Sequence, residues 1–257
     1  MKITVSRRAS RAQLTLAATA ALIAAGALAA QSAATAAGPK GPTRDVTVRV
    51  EGLTSTLLPP TTVTLTAGSV TKDGKAADSC SGLSALGALQ DATKGSWGGS
   101  WSKSYRQYLI TTIDGVVYPS SASYYWAFWI DNKPAQVGAC GYDPAPGTTL
   151  LFFPDYIGKS KSIVPPSVLG LSAPAQALVG KPFSVLVTSY ANTNGKPSPA
   201  SGASLSAGGA HTTSSSAGKA TLQVASAGII EIKASAPNSV RAETTICIHK
   251  LGAMCPK

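Results

Sequence analysis

Histidine is almost missing from this chain, with 2 in 257 residues, and charge is sparse at 13%. A serine or cysteine nucleophile needs a histidine held by a third group, yet His211 and His249 both lie in the second half. They read as ordinary surface residues. Acids number only 11, and Asp73, Asp114 and Asp131 stand in turn contexts. Paired-carboxylate chemistry is therefore poorly supplied. There is no C-x-x-C pair to suggest zinc. The glycines from Gly95 to Gly99 lack the Lys-Ser/Thr and the strand-to-helix setting of a phosphate loop. Lys103, Arg106, Lys159 and Lys161 form no dense basic patch, so no nucleic-acid partner is expected. Low charge also argues against a highly charged disordered chain. These absences point away from an enzyme: no catalytic residue, no metal and no cofactor are assigned.

What the chain does have begins with a leader. Lys2, Arg7, Arg8 and Arg11 precede an apolar run from Leu14 to Ala30 and a small-residue tail, the three-part pattern of a secretory signal. Cleavage after Ala34-Thr35-Ala36 is expected, making residues 1–36 a signal peptide; an uncleaved anchor is the alternative. Arg7-Arg8 resembles a twin-arginine signal, but Ser10 and Arg11 occupy places where that signal carries apolar residues. The general route is preferred. Removing the leader leaves 18 basic against 11 acidic residues, spread thinly. No cysteine stands near the cleavage region for a lipid anchor, and the chain ends without an apolar tail. The expectation is a secreted, extracellular protein with no membrane contact after cleavage.

Four cysteines behind an export signal read as two disulfides. Of three possible connectivities, proximity favours the local pairs, Cys80 with Cys140 and Cys247 with Cys255.

Asp45 to Glu51 alternates with valine at every second position, and Thr61 to Thr66 repeats the alternation. One helix is expected, N-capped by Ser79 or Ser81 and carrying Leu83, Leu86 and Leu89 at a three-residue spacing. Trp97-Gly98-Gly99-Ser100-Trp101 reads as turn-rich. Tyr105 to Val117 reads as two strands around Asp114-Gly115, a hairpin signal. Ser123 to Ile130 is the most aromatic strand, and Leu150 to Phe153 a short buried one. Gly158 to Pro166 develops neither period, so 158–166 is expected to link a first domain, 43–157, to a second, 167–257. Beyond it, short strands separated by Gly, Pro, Asn and Ser clusters predict a β-sandwich.

The stretch Tyr125-Trp126-Ala127-Phe128-Trp129-Ile130-Asp131-Asn132-Lys133-Pro134-Ala135, with Gly138 and Gly147 to Phe152, resembles the transcobalamin-like C-terminal domain family over roughly residues 43–155. Bacterial members are secreted or surface proteins, largely of unknown function. The resemblance implies an α+β domain in which one main helix packs on a mostly antiparallel sheet. In transcobalamin-type carriers this domain covers one face of the corrin, while a helical domain that this chain lacks supplies the rest of the pocket. Asn132 stands where the family's turn often has glycine; asparagine tolerates the left-handed conformation. Residues 167–249 resemble a bacterial immunoglobulin-like domain through Gly180 to Val185, Ser201-Gly202-Ala203, Ala217 to Leu222 and Gly228 to Ala234. Such domains space or present another module.

Strand alternation sets Tyr124, Trp126, Phe128 and Ile130 on one face, as core, and Tyr125, Ala127 and Trp129 on the other. Tyr125 and Trp129 are candidates for an exposed ring platform unless both faces are covered. Trp97 and Trp101 are candidates for a contact loop, or lids over the core. The reading is a non-enzymatic binding protein that contacts a small-molecule ligand, possible cobalamin-like compounds included, or a glycan through Trp97, Trp101, Tyr125 and Trp129. The second domain serves as spacer or docking module. The alternative is a structural or adhesive surface protein with a cell-surface protein partner. A concave aromatic pocket favours the first, flat strand edges the second.

Overall fold

The computed structural model describes residues 44–118, 123–156 and 166–255. The expected signal peptide and, apart from Pro166, the expected linker lie outside the described residues.

Val46, Val48 and Val50 alternate along β1 (Arg44–Glu51) and put one apolar face into the core, as the period of two requires. β1 pairs antiparallel with β2 (Thr56–Leu65). The chain then folds into α1 (Ala85–Ala92), the strands β3 (Trp97–Ser102) and β4 (Gln107–Ile113), the aromatic strand β5 (Tyr124–Ile130) and β6 (Thr149–Tyr156). β6 lies parallel to β1 and antiparallel to β5, so the main sheet runs β2-β1-β6-β5 and ends on the short strand Lys133–Pro134. β3, β4 and Val116–Val117 form a separate antiparallel sheet. The turn into Val116 runs through Asp114 and Gly115, both at positive φ, as the hairpin signal predicts.

The first part is not α+β. Among the described residues the fold is about 53% strand and 6% helix, and α1 is eight residues long. Two sequence signals explain the difference. The leucine spacing that marks α1 is real but covers only two turns, too little to make a helical layer. The Trp97 to Trp101 segment forms a strand where a turn was expected: Gly99 meets β4 at a bulge, and a Cβ there would lie 2.4 Å from the Leu109 carbonyl oxygen. The glycines are there for close strand approach.

Ser84, not Ser79 or Ser81, caps α1; its Oγ accepts the Gly87 N–H at 3.2 Å. Ser81 organises the turn before it, accepting the Leu83 N–H. Gly87 sits inside the helix because a Cβ there would come 2.0 Å from the Gly82 carbonyl oxygen. Helix propensity alone favours alanine by about 1 kcal/mol. We expect the opposite sign for Gly87→Ala, a loss of about 1–3 kcal/mol from overpacking, read from urea unfolding midpoints.

Cys80 and Cys140 are bonded, as are Cys247 and Cys255, in the connectivity that proximity favoured. The first bond ties the start of the α1 region to the Ala139–Gly141 turn.

In the second part, β7 (Ser167–Ser172), β8 (Pro182–Tyr190) and β10 (Lys219–Gln223) belong to one five-stranded sheet. A second sheet contains β9 (Ser204–Ala207), β11 (Gly228–Ser235) and β12 (Ala242–His249). Inward residues of the two sheets, among them Val185, Leu222, Ile232 and Ile246, form one buried cluster.

The two parts touch through charge and through rings. On the reverse face of β1, Arg49 donates to Glu51 Oε1 at 3.0 Å and to the Arg241 carbonyl. Arg241 in turn donates to Glu51 Oε2 at 2.8 Å. Thr56 reaches Glu243. Ala127, Trp129, Leu151 and Phe153 from the reverse face of β5 and β6 pack with Val168 and Val240 of the second part.

Candidate functional site

β5 is an edge strand along most of its length. Pro154, which has no N–H, stands opposite Trp126, so that pair is not hydrogen-bonded and the Trp126 backbone groups point away from β6. On that outer side the Ala135 N–H donates to the Phe128 carbonyl, and Lys133–Pro134 pairs only with Trp129 and Ile130. Among the described residues no strand covers the edge at Trp126. The tight turn that folds Lys133 back runs through Asp131 and Asn132 at φ 47° and 63°, the left-handed conformation expected of the asparagine.

Along this edge lies a cleft of about 1060 Å³. β5 supplies Tyr125, Trp126, Phe128 and Trp129, and β4 forms the facing wall. The segment Pro134–Gly141 closes one side, held by the Cys80–Cys140 bond. Tyr105, Leu109 and Val137 stand exposed at the rim. The second part contributes Asn192 and Thr193.

The four rings singled out from sequence fall in different places. Trp97 is buried against α1, its Nε1 donating to Gln90 Oε1 at 2.7 Å, with the Lys72 ammonium 4.5 Å from the ring centroid. Trp101 is half-buried, edge-on to Tyr108 at 5.1 Å, outside the cleft lining. Trp129 lines the cleft but is only 2% exposed, packed edge-on to Phe153 at 5.9 Å. Tyr125 is half-buried and lines the cleft. Trp126 belongs to the buried core and Phe128 packs against it, as the alternation assigned, and both also line the cleft. The Trp126 indole N–H is buried and has no partner among the described residues.

Sequence reasoning missed Asp155 and Asn192. Asp155 is 6% exposed at the far end of β6. Its Oδ1 accepts the Tyr156 N–H at 2.8 Å, and its Oδ2 accepts the Asn192 amide at 3.2 Å and the Tyr125 hydroxyl at 3.4 Å. Burial pushes the Asp155 carboxyl above its ordinary range, and it pushes the Tyr125 hydroxyl up to about 12. A lone acid in the apolar run Leu150 to Tyr156 was the available signal for Asp155. No sequence signal marks Asn192, which reaches the site only through packing of the second part.

Among the described residues no three His, Cys, Asp or Glu gather as metal ligands, and no helix is long and apolar enough to cross a membrane. The arrangement brings aromatic side chains and a buried acceptor, Asp155, into the lining of one concave site.

No curated protein matches the chain. A crystal structure of a candidate metal binding protein from Ruminococcus gnavus ATCC 29149 aligns at 14% identity over 45% of this chain and 99% of its own, with a TM-score of 0.31. Residues 82–153, which carry α1, the Cys140 turn and most of the cleft, match the family described as a domain of unknown function, DUF4430.

Proposed function

We propose that this is an exported, non-enzymatic binding protein whose first part takes a ring-bearing small molecule or a glycan in the β5 cleft. The second part acts as spacer or docking module and contributes Asn192 and Thr193 to the rim. The observation that carries this reading is the cleft itself: about 1060 Å³, concave and lined by aromatic residues, where ligand sites are typically about 300–1,000 Å³. The resemblance to transcobalamin-type domains makes corrin-like macrocycles a natural first probe, since flat rings stack on flat rings. Two disulfides are in keeping with an oxidising compartment. Both histidines lie on second-part strands, Ala210–Thr213 and β12, and neither lines the cleft, which supports binding without catalysis.

Native mass spectrometry of the exported protein, first as purified and then with cobalamins, cobamide fragments and oligosaccharides, tests this. A one-to-one adduct is expected, and Tyr125→Ala should weaken it about tenfold by removing one stacking face. If nothing co-purifies or binds below millimolar, the ligand-carrier reading is abandoned in favour of a protein-contact role.

A further inference from the structure

Asp155 is a buried acid with no counter-ion among the described residues. Its three hydrogen-bond partners, the Tyr156 N–H, the Asn192 amide and the Tyr125 hydroxyl, are all neutral donors. The ion pairs among the described residues include the charges of Arg49, Glu51, Arg241 and Glu243 but none that reaches Asp155. Buried charges are ordinarily paired, and an unpaired one is costly. Donors on both oxygens suit the ionised form, because a neutral carboxyl needs an acceptor for its own proton. The carboxylate is thus prepared for a positive charge that the described residues do not supply.

The lining of the cleft is where such a charge would be met. Asp155, Tyr125 and Asn192 line the cleft together, and the Tyr125 ring is an aromatic neighbour of the kind that attracts cations. On the other face of β5, the Trp126 indole N–H, in a residue 7% exposed, has no acceptor among the described residues.

Resting on the reading of the cleft as a binding site, we infer that its ligand carries an organic cation, an ammonium or guanidinium, seated against Asp155 beside Tyr125. Two sources present that chemistry. One is a free arylalkylamine. The other is a lysine or arginine side chain of an extended peptide added to the open edge at Trp126. Such a strand would lie two strand spacings from β6, roughly 9–10 Å, which places Asp155 at the outer reach of a long basic side chain.

The test is isothermal titration of the whole exported protein with matched pairs. Phenethylamine is set against neutral 3-phenylpropan-1-ol, and a blocked Val-Lys-Val-Lys peptide against the same peptide with norleucine for lysine. The expected result is at least tenfold tighter binding of the cationic member in one pair, and which pair shows it identifies the source. Asp155→Asn should abolish that preference while keeping affinity for the neutral member. Equal binding of both members in each pair overturns the cation inference and leaves the cleft a binding site for neutral ligands. A cation preference that survives in Asp155→Asn overturns it too, because the charge is then met elsewhere. Failure of all four probes overturns it while native mass spectrometry decides on the cleft separately. If Asp155→Asn fails to fold, the matched pairs on the unaltered protein still decide.

Discussion

Trp129→Ala is expected to lower the unfolding free energy by about 3–5 kcal/mol, among the largest effects of any single substitution here. Three observations support this size. The side chain is 2% exposed, so truncation removes a buried ring and leaves a void in the packing beside the cleft. Its ring meets Phe153 edge-on at 5.9 Å, an arrangement that adds to simple area burial. It also belongs to a cluster shared between the reverse face of the main sheet and Val168 and Val240 of the second part. Loosening it therefore weakens both a core and a junction. Urea unfolding followed by tryptophan fluorescence and near-ultraviolet circular dichroism would show the midpoint fall. A loss below about 1 kcal/mol would mean that the ring is exposed in solution, and that Trp129 is free to act as a platform for ligands.

Removing the Cys80–Cys140 bond by Cys80→Ala with Cys140→Ala should cost about 4 kcal/mol. The two residues are 60 apart in sequence, and the loop-closure entropy that a crosslink removes from the unfolded chain grows with the logarithm of that length. The terminal Cys247–Cys255 bond spans 8 residues and should be worth less, about 2–3 kcal/mol. The longer bond has a second role that the shorter one lacks. Cys140 lines the cleft, so its loss should also loosen the Pro134–Gly141 wall and weaken any ligand found by native mass spectrometry. The two double variants, compared by unfolding midpoint and by adduct intensity, separate these effects. Equal stability losses for both bonds would contradict the loop-length account, and an unaltered adduct without Cys140 would show the wall to be rigid without it.

The aromatic strand shows how far a sequence goes. Its alternation assigned Trp126 and Phe128 to one face and Tyr125 and Trp129 to the other, and the two pairs do pack in separate clusters on opposite faces. Alternation says which side chains stand together, not what lies over them. Trp129 reads as a possible platform until Val168 and Val240, some forty and one hundred and ten residues later, are packed near it. The reverse face of β1 is similar: Arg49 and Glu51 look like solvent-facing charges between valines, yet they are buried because Arg241 and Glu243 come to meet them. The α+β expectation failed for a related reason. A short leucine-spaced helix is legible locally, but whether it forms a layer or a single plug depends on how many strands assemble around it. The strand at Trp97 was hidden by two glycines that look like a turn and are in fact room for β4.

Local pattern alone determined the paired cysteines, the valine face of β1, the two faces of β5 and the left-handed turn at Asn132, because each depends on residues within one element or on simple proximity along the chain. Only the tertiary structure decided that, among the described residues, β5 keeps an open edge beside a cleft and Asp155 lies there with no counter-ion, and that Asn192 reaches it. These depend on which distant surfaces exclude water from one another, and burial of that kind is a property of the assembled chain that no period in the sequence encodes.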